Sequence, residues 1–211
     1  MQERFVINIG RRYGSGGKRI GELIAERLGI RLYDRELINL AAEQSGFGVE
    51  HFEQADEQEH KGVLSTLLGH FRTPYVGSFV ESGSPLSNDA LFKIQSDAIR
   101  SVAERESCIF VGRCADYILR DHPRAVNLFF TADDESRIRR IVERTGCGAD
   151  EARADMERID ARRAAYYNYY SSRTWGAAAT YHLCIDSSVL GDEATAEFIL
   201  AFAARKLNLT Y

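Results

Sequence analysis

The stretch Ile9-Gly10-Arg11-Arg12-Tyr13-Gly14-Ser15-Gly16-Gly17-Lys18-Arg19-Ile20 gathers four glycines, one serine and four cations into twelve residues. Glycines let a backbone curl so that its N–H groups point inward. A helix N-terminus adds partial positive charge to such a concavity, and Lys18, Arg19 and Arg12 add whole charges. These residue types at this spacing cradle a phosphate, with Gly14, Ser15, Gly16, Gly17, Lys18 and Arg19 as the contacts. The run departs from the pattern G-x-x-x-x-G-K-[ST]. Five residues rather than four separate Gly10 from Gly16, Gly17 stands at the lysine position, and Lys18 stands at the hydroxyl position. The competing reading is a glycine-rich turn that holds no ligand.

Three further groups offer related chemistry. In Val111-Gly112-Arg113-Cys114-Ala115-Asp116, Gly112 lets a ligand approach the backbone and Arg113 presents a planar fork to a phosphate. Asp116 either accepts from a base amino group, orients an arginine, or sits on the first turn of a following helix. In Tyr33-Asp34-Arg35, Asp34 is either a helix cap or a contact to an acceptor nucleotide or a metal-bound water, with Arg35 beside it. The third group is a run of arginines from Arg137 to Arg173, interleaved with Asp and Glu. Half of such a run reads as a solvated helix face laced with ion pairs. The other reading is a lid whose guanidinium groups stabilise a migrating phosphoryl group. Arg158, Asp160 and Arg163 form its compact R-x-D-x-x-R unit. Tyr166, Tyr167, Tyr169 and Tyr170 follow, and read as helix packing with wet hydroxyls more readily than as base-stacking rings. Ser15 and Asp34 are the candidate magnesium contacts. The histidines show no ligand spacing.

Regular elements must position these groups. Apolar runs at Phe5–Ile9, Arg31–Tyr33, Ser107–Val111, Ala125–Phe130 and His182–Ile185 read as five buried strands. Helical spacing separates them, at Ile20/Leu23/Ile24, Leu91 to Ala103, Ile138/Ile141/Val142 and Phe198 to Leu207. The alternation predicts an α/β fold with a parallel sheet covered on both faces, and ligands then bind beyond the C-terminal strand ends. Residues 45–89 break the rhythm as an inserted helical segment, and residues 145–175 read as one polar, arginine-rich helix. The whole is expected to be a single domain, 1–211.

Bulk properties narrow the classes. An apolar share of 45% fills a core, and a net charge of −4 argues against general binding to nucleic acid or to a membrane surface. The four cysteines form no C-x-x-C pair, and Cys108 and Cys184 read as buried small hydrophobes suited to a reducing cytoplasm. The first strand starts almost at once, so no signal peptide is expected, and no apolar run is long enough to span a bilayer.

Taken together, the chain resembles the cytidylate kinase-like family of P-loop nucleoside monophosphate kinases. The resemblance rests on Gly10–Gly17, Tyr33–Ile38, Phe92–Arg100, Val111–Leu119, Arg158–Arg163, Tyr166–Tyr170 and Trp175–Gly176, followed by Tyr181–Ser188. It implies a three-layer P-loop kinase fold with five parallel strands, an inserted acceptor segment and an arginine lid. It further implies transfer of the γ-phosphoryl group of ATP to CMP or dCMP with Mg2+. Donor phosphates would then sit on Gly14–Arg19, and the acceptor on Gly112, Arg113 and the displaced Asp116. Arg158, Asp160 and Arg163 would meet the acceptor and transferring phosphates, so that Lys18, Arg113, Arg158 and Arg163 neutralise the migrating charge. Partners are expected to be nucleotides, with a homo-oligomer open. Two alternatives stand beside this: a kinase of another small molecule, and a nucleotide-binding regulator without transfer activity.

Overall fold

The computed structural model describes residues 4–34 and 88–209. By its contacts the chain divides into Met1–Asp34 with Ile99–Tyr211, and Arg35–Ala98. Of the second unit only residues 88–98 are described, all helical; most of the expected insertion, and Arg35, lie outside the described residues. The elements are β1 (Val6–Arg11), α1 (Gly17–Leu28), β2 (Arg31–Tyr33), α2 (Asn88–Arg105), β3 (Cys108–Val111) and the single turn α3 (Ala115–Ile118). They continue as β4 (Ala125–Thr131), α4 (Asp134–Thr145), α5 (Ala149–Ser171), β5 (Leu183–Asp186) and α6 (Ser187–Leu207).

Five strands form one all-parallel sheet in the order β2-β3-β1-β4-β5. This is the doubly covered sheet expected from the near-continuous apolar runs. β1 is central, with Ile7 opposite Ile109 on one side and Val126 on the other. Ile7, Ile9, Ile109, Val111, Val126, Leu128 and Phe130 line one face. They pack against Ile20, Leu23 and Ile24 of α1 and Ala196, Ile199 and Ala203 of α6. Period-2 alternation turns Asn8, Gly10, Asn127 and Phe129 to the other face, where the Phe129 ring meets Tyr181 and Trp175 at centroid distances of 5.0 and 5.2 Å.

Local chemistry sets the helix ends. Gly29 closes α1 in the left-handed region, returning its N–H to Ala25 and Glu26. Asp133 caps α4 by accepting from the Ser136 N–H at 2.8 Å, which holds its carboxyl down at about 2. Gly146, at φ 73°, ends α4, so the expected arginine-rich helix starts only at Ala149. Two further expectations change. Cys184 is exposed, because β5 is an edge strand and an apolar run there does not report which face is covered. His182 precedes the strand, its Nδ1 accepting from the Asn127 N–H at 2.8 Å. No described helix is long and apolar enough to cross a membrane.

Candidate functional site

The central strand delivers the glycine-rich loop to the C-terminal edge of the sheet. The Ser15 N–H returns to the Arg12 carbonyl at 3.3 Å, and Gly14 and Gly16 take φ of 78° and 76°. At both, glycine is required twice over. The left-handed backbone disfavours a side chain, and an added Cβ at Gly14 would lie 2.8 Å from the Arg137 carbonyl oxygen. At Gly16 it would lie 2.7 Å from Asp192 Oδ1. Gly16 is also the N-cap of α1 and supplies no side-chain acceptor, so the first-turn amides are directed at whatever occupies the loop.

The carbonyl oxygens of the loop are held from outside. Arg163 Nη1 donates to the Arg11 carbonyl at 3.0 Å, Arg137 Nε to that of Tyr13 at 2.7 Å, and Ser187 Oγ to that of Ser15 at 2.5 Å. Arg140 reaches the Gly14 carbonyl at a long 3.5 Å and is itself fixed by Asp192 at 3.0 Å and Ser187 at 3.1 Å. The peptide bonds are trans, so each C=O turned outward sends the next N–H the opposite way. Asp160 completes the clamp from α5. Its Oδ1 accepts the Tyr13 N–H at 2.7 Å, and its Oδ2 accepts Arg12 Nε at 3.1 Å and Arg137 Nη2.

Positive charge gathers on the inner side. Lys18 Nζ lies 3.2 Å from Asp34 Oδ2, and Arg11 Nη2 lies 3.6 Å from Asp34 Oδ1. Burial, followed by repulsion from Arg163, pulls the Arg11 guanidinium down to about 9, with Asp34 opposing and Arg113 adding to the fall. Burial lowers Arg163 as well. Among the described residues Asp34 and Asp160 oppose Arg11, Arg12, Lys18 and Arg163, a cationic balance that a bound anion relieves. The buried Ser15 hydroxyl has no partner among the described residues. Inward amides, surplus cations and an unpaired hydroxyl together fit a polyphosphate. Among the described residues there is no group of three or more His, Cys, Asp or Glu placed to hold a metal.

The edge of β3 adds Arg113. Gly112, Arg113 and Cys114 take φ of 78°, 55° and 55° in succession, the last two in a region that side chains rarely adopt. At Gly112 the left-handed φ favours glycine, and a Cβ there would displace the Arg11 guanidinium. Asp116 lies on the first turn of α3 and is buried. It accepts from the Tyr167 hydroxyl at 2.6 Å, and burial raises its carboxyl despite that donor. Tyr167 therefore has a buried hydroxyl rather than the wet one expected, whereas Tyr169 is exposed. Arg158 is half-exposed on α5 and pairs with Asp155 at 2.6 Å. Arg19 is exposed and lies 3.9 Å from Glu22.

The structure thus brings Gly14–Lys18, Asp34, Gly112, Arg113, Asp160 and Arg163 around one strand edge, and sets Arg158 apart on the solvent side. Sequence reading placed Arg137 and Arg140 only in the general arginine run, without singling them out, and passed over Ser187 and Asp192. The spacing of Arg137, Arg140 and Arg144, one helix face in three- and four-residue steps, was the available signal. Arg144 lies over the Tyr13 ring at 4.8 Å.

A family model described as the cytidylate kinase-like family matches residues 6–189. No curated protein matches the chain. Among solved structures, an uncharacterized protein from Eubacterium ventriosum is 26% identical, with a TM-score of 0.71 over 95% of this chain and 98% of that one. A shikimate kinase from Bacteroides thetaiotaomicron is 14% identical, with a TM-score of 0.52 over 97% and 99%. A gluconokinase from Sinorhizobium meliloti is 15% identical, with a TM-score of 0.50 over 98% and 96%. The last two likenesses show the P-loop kinase fold.

Proposed function

The chain belongs to the cytidylate kinase-like family, and from that premise we propose that it moves the γ-phosphoryl group of ATP onto a nucleoside monophosphate, CMP or dCMP. The observation that carries this reading is the loop itself: carbonyls pinned outward, the Gly14 and Gly16 amides turned inward, and, among the described residues, more cation than carboxylate at its mouth. The inward amides of Gly14, Gly16 and Gly17 and the Lys18 ammonium hold the donor phosphates. Arg113 and Arg163 draw the acceptor phosphate toward the same point, and Arg158 reaches in from α5 on closure. An acceptor phosphate oxygen forms the new P–O bond as the bond to the β–γ bridging oxygen breaks, and ADP leaves with the electron pair. No general base is required, because the acceptor oxygen is already anionic. Ser15 and Asp34 are the protein oxygens that would hold a magnesium, which when bound would supply charge neutralisation to the phosphates. Asp34 holds Lys18 and Arg11 at the loop mouth, and Asp116 is held by the Tyr167 hydroxyl.

The test is a panel of nucleoside monophosphates and small polyols with ATP and Mg2+, read as ADP formed. Turnover highest on CMP or dCMP supports the reading, and turnover on a polyol alone moves the assignment to a small-molecule kinase. One observation favours a second reading. Lys18 is one residue beyond the usual lysine position and is engaged by Asp34 at 3.2 Å, as suits a protein that binds a nucleotide without transferring from it. ATP binding with no turnover on any acceptor would select that alternative.

A further inference from the structure

Asp160 belongs to the segment whose family resemblance points to acceptor contact, yet its carboxylate is turned elsewhere. Both oxygens are engaged by the loop or by the helix behind it, at Tyr13 N, Arg12 Nε and Arg137 Nη2. Arg137 is fully buried, and Asp160 is 7% exposed. From the other side, Arg137 Nε takes the carbonyl of the same Tyr13 at 2.7 Å, and its Nη1 reaches Asp134 at 3.2 Å. Both backbone polar groups of Tyr13 are therefore held by one buried ion pair that joins α4 to α5. Tyr13 immediately precedes the left-handed Gly14. Fixing its carbonyl fixes the direction of the Gly14 amide, because the peptide is planar. A buried ion pair adds little net stability against an apolar substitute, but it selects one geometry.

We propose that Asp160 and Arg137 are positioning residues for the phosphate loop, locking the Tyr13 peptide groups so that the amides from Gly14 onward face the donor nucleotide. This rests on the donor role given to the loop above. It makes α5 a fixed strut at Asp160 and Arg163, so that only its outer arginines, such as Arg158, are left to move.

The experiment is Asp160→Asn, which keeps the shape but removes the charge and one acceptor. Amide hydrogen exchange is followed by NMR in nucleotide-free protein, alongside ATP affinity and the acceptor KM and kcat at saturating ATP. The expected result is exchange faster by about tenfold or more at Tyr13–Gly17, with β4 unchanged. ATP affinity should fall by about tenfold or more, with acceptor KM within about twofold of wild type. Unchanged exchange and ATP affinity overturn the proposal, as does a raised acceptor KM with ATP affinity intact, which returns Asp160 to the acceptor site. If the wild-type chain binds no ATP, the donor reading fails while the exchange comparison still decides the brace. If Asp160→Asn does not fold, Arg12→Met removes one donor from the same carboxylate. Faster exchange at those amides then supports the brace, and unchanged exchange overturns it.

Discussion

Substituting Gly16 by alanine should destabilise the protein in two separable parts. The residue sits at φ 76°, and the left-handed region costs a non-glycine residue about 1–2 kcal/mol. The new methyl would also lie 2.7 Å from Asp192 Oδ1 and 3.3 Å from Arg140 Nη1. Ordinary contact begins near 3.4 Å, so the carboxylate must retreat and its 3.0 Å pairing with Arg140 loosens. Both side chains of that pair are roughly a quarter exposed, which limits its worth to about 1 kcal/mol. The combined loss is about 2 kcal/mol, or a fall in Tm of about 4–8 °C for a chain of this size. Urea unfolding of wild type, Gly16→Ala, Asp192→Ala and the double variant forms a thermodynamic cycle. The expected coupling is about 1 kcal/mol, the steric share, with the backbone share persisting in the double variant. Gly16→Ala at wild-type stability, or complete recovery by Asp192→Ala, would refute the left-handed loop.

Arg158→Ala is predicted to lower kcat far more than nucleotide affinity, with unfolding nearly unchanged because the side chain is half-exposed; equal losses in kcat and affinity contradict the lid role. Burial and repulsion from neighbouring arginines disfavour the Arg11 guanidinium, which nevertheless stays charged, so a bound anion gains an under-neutralised partner there. Arg11→Met should therefore weaken ATP binding, measured by calorimetry at pH 7, and unchanged affinity contradicts that role. Tyr167→Phe should cost about 1–3 kcal/mol by taking a donor from the buried Asp116. Because the folded state raises the Asp116 carboxyl, its ionisation opposes folding as pH rises above the unfolded value. The deficit of Tyr167→Phe should therefore be larger at pH 7 than at pH 4, measured by thermal unfolding at each.

Much of the scaffold was legible because it is written locally. Phe5–Ile9 leading into glycines and then into Ile20, Leu23 and Ile24 specifies strand, turn and helix without help from the rest of the chain. The glycine-rich turn was legible for the same reason. Asp160 itself stood out in the R-x-D-x-x-R unit, but its bracing contacts did not, because its partners Arg12 and Tyr13 lie 148 and 147 positions away. Asp192 was equally hidden, since its place beside Gly16 depends on the break at Gly191, with φ 75° and ψ 174° inside α6. Tyr167 and Tyr169 are two apart on one helix, yet one is buried and the other exposed. Composition cannot separate them, because the deciding neighbour, Asp116, is 51 positions away.

The central place of β1 has a consequence for biosynthesis. Its two sheet partners begin at Cys108 and Ala125, so an emerging chain carries an oily N-terminal segment without either neighbour for about a hundred residues of translation. At about 5–20 residues per second that is roughly 5–20 s of exposure. Ribosome-bound fragments ending before β3 should consequently be the forms that chaperones hold and that aggregate when released.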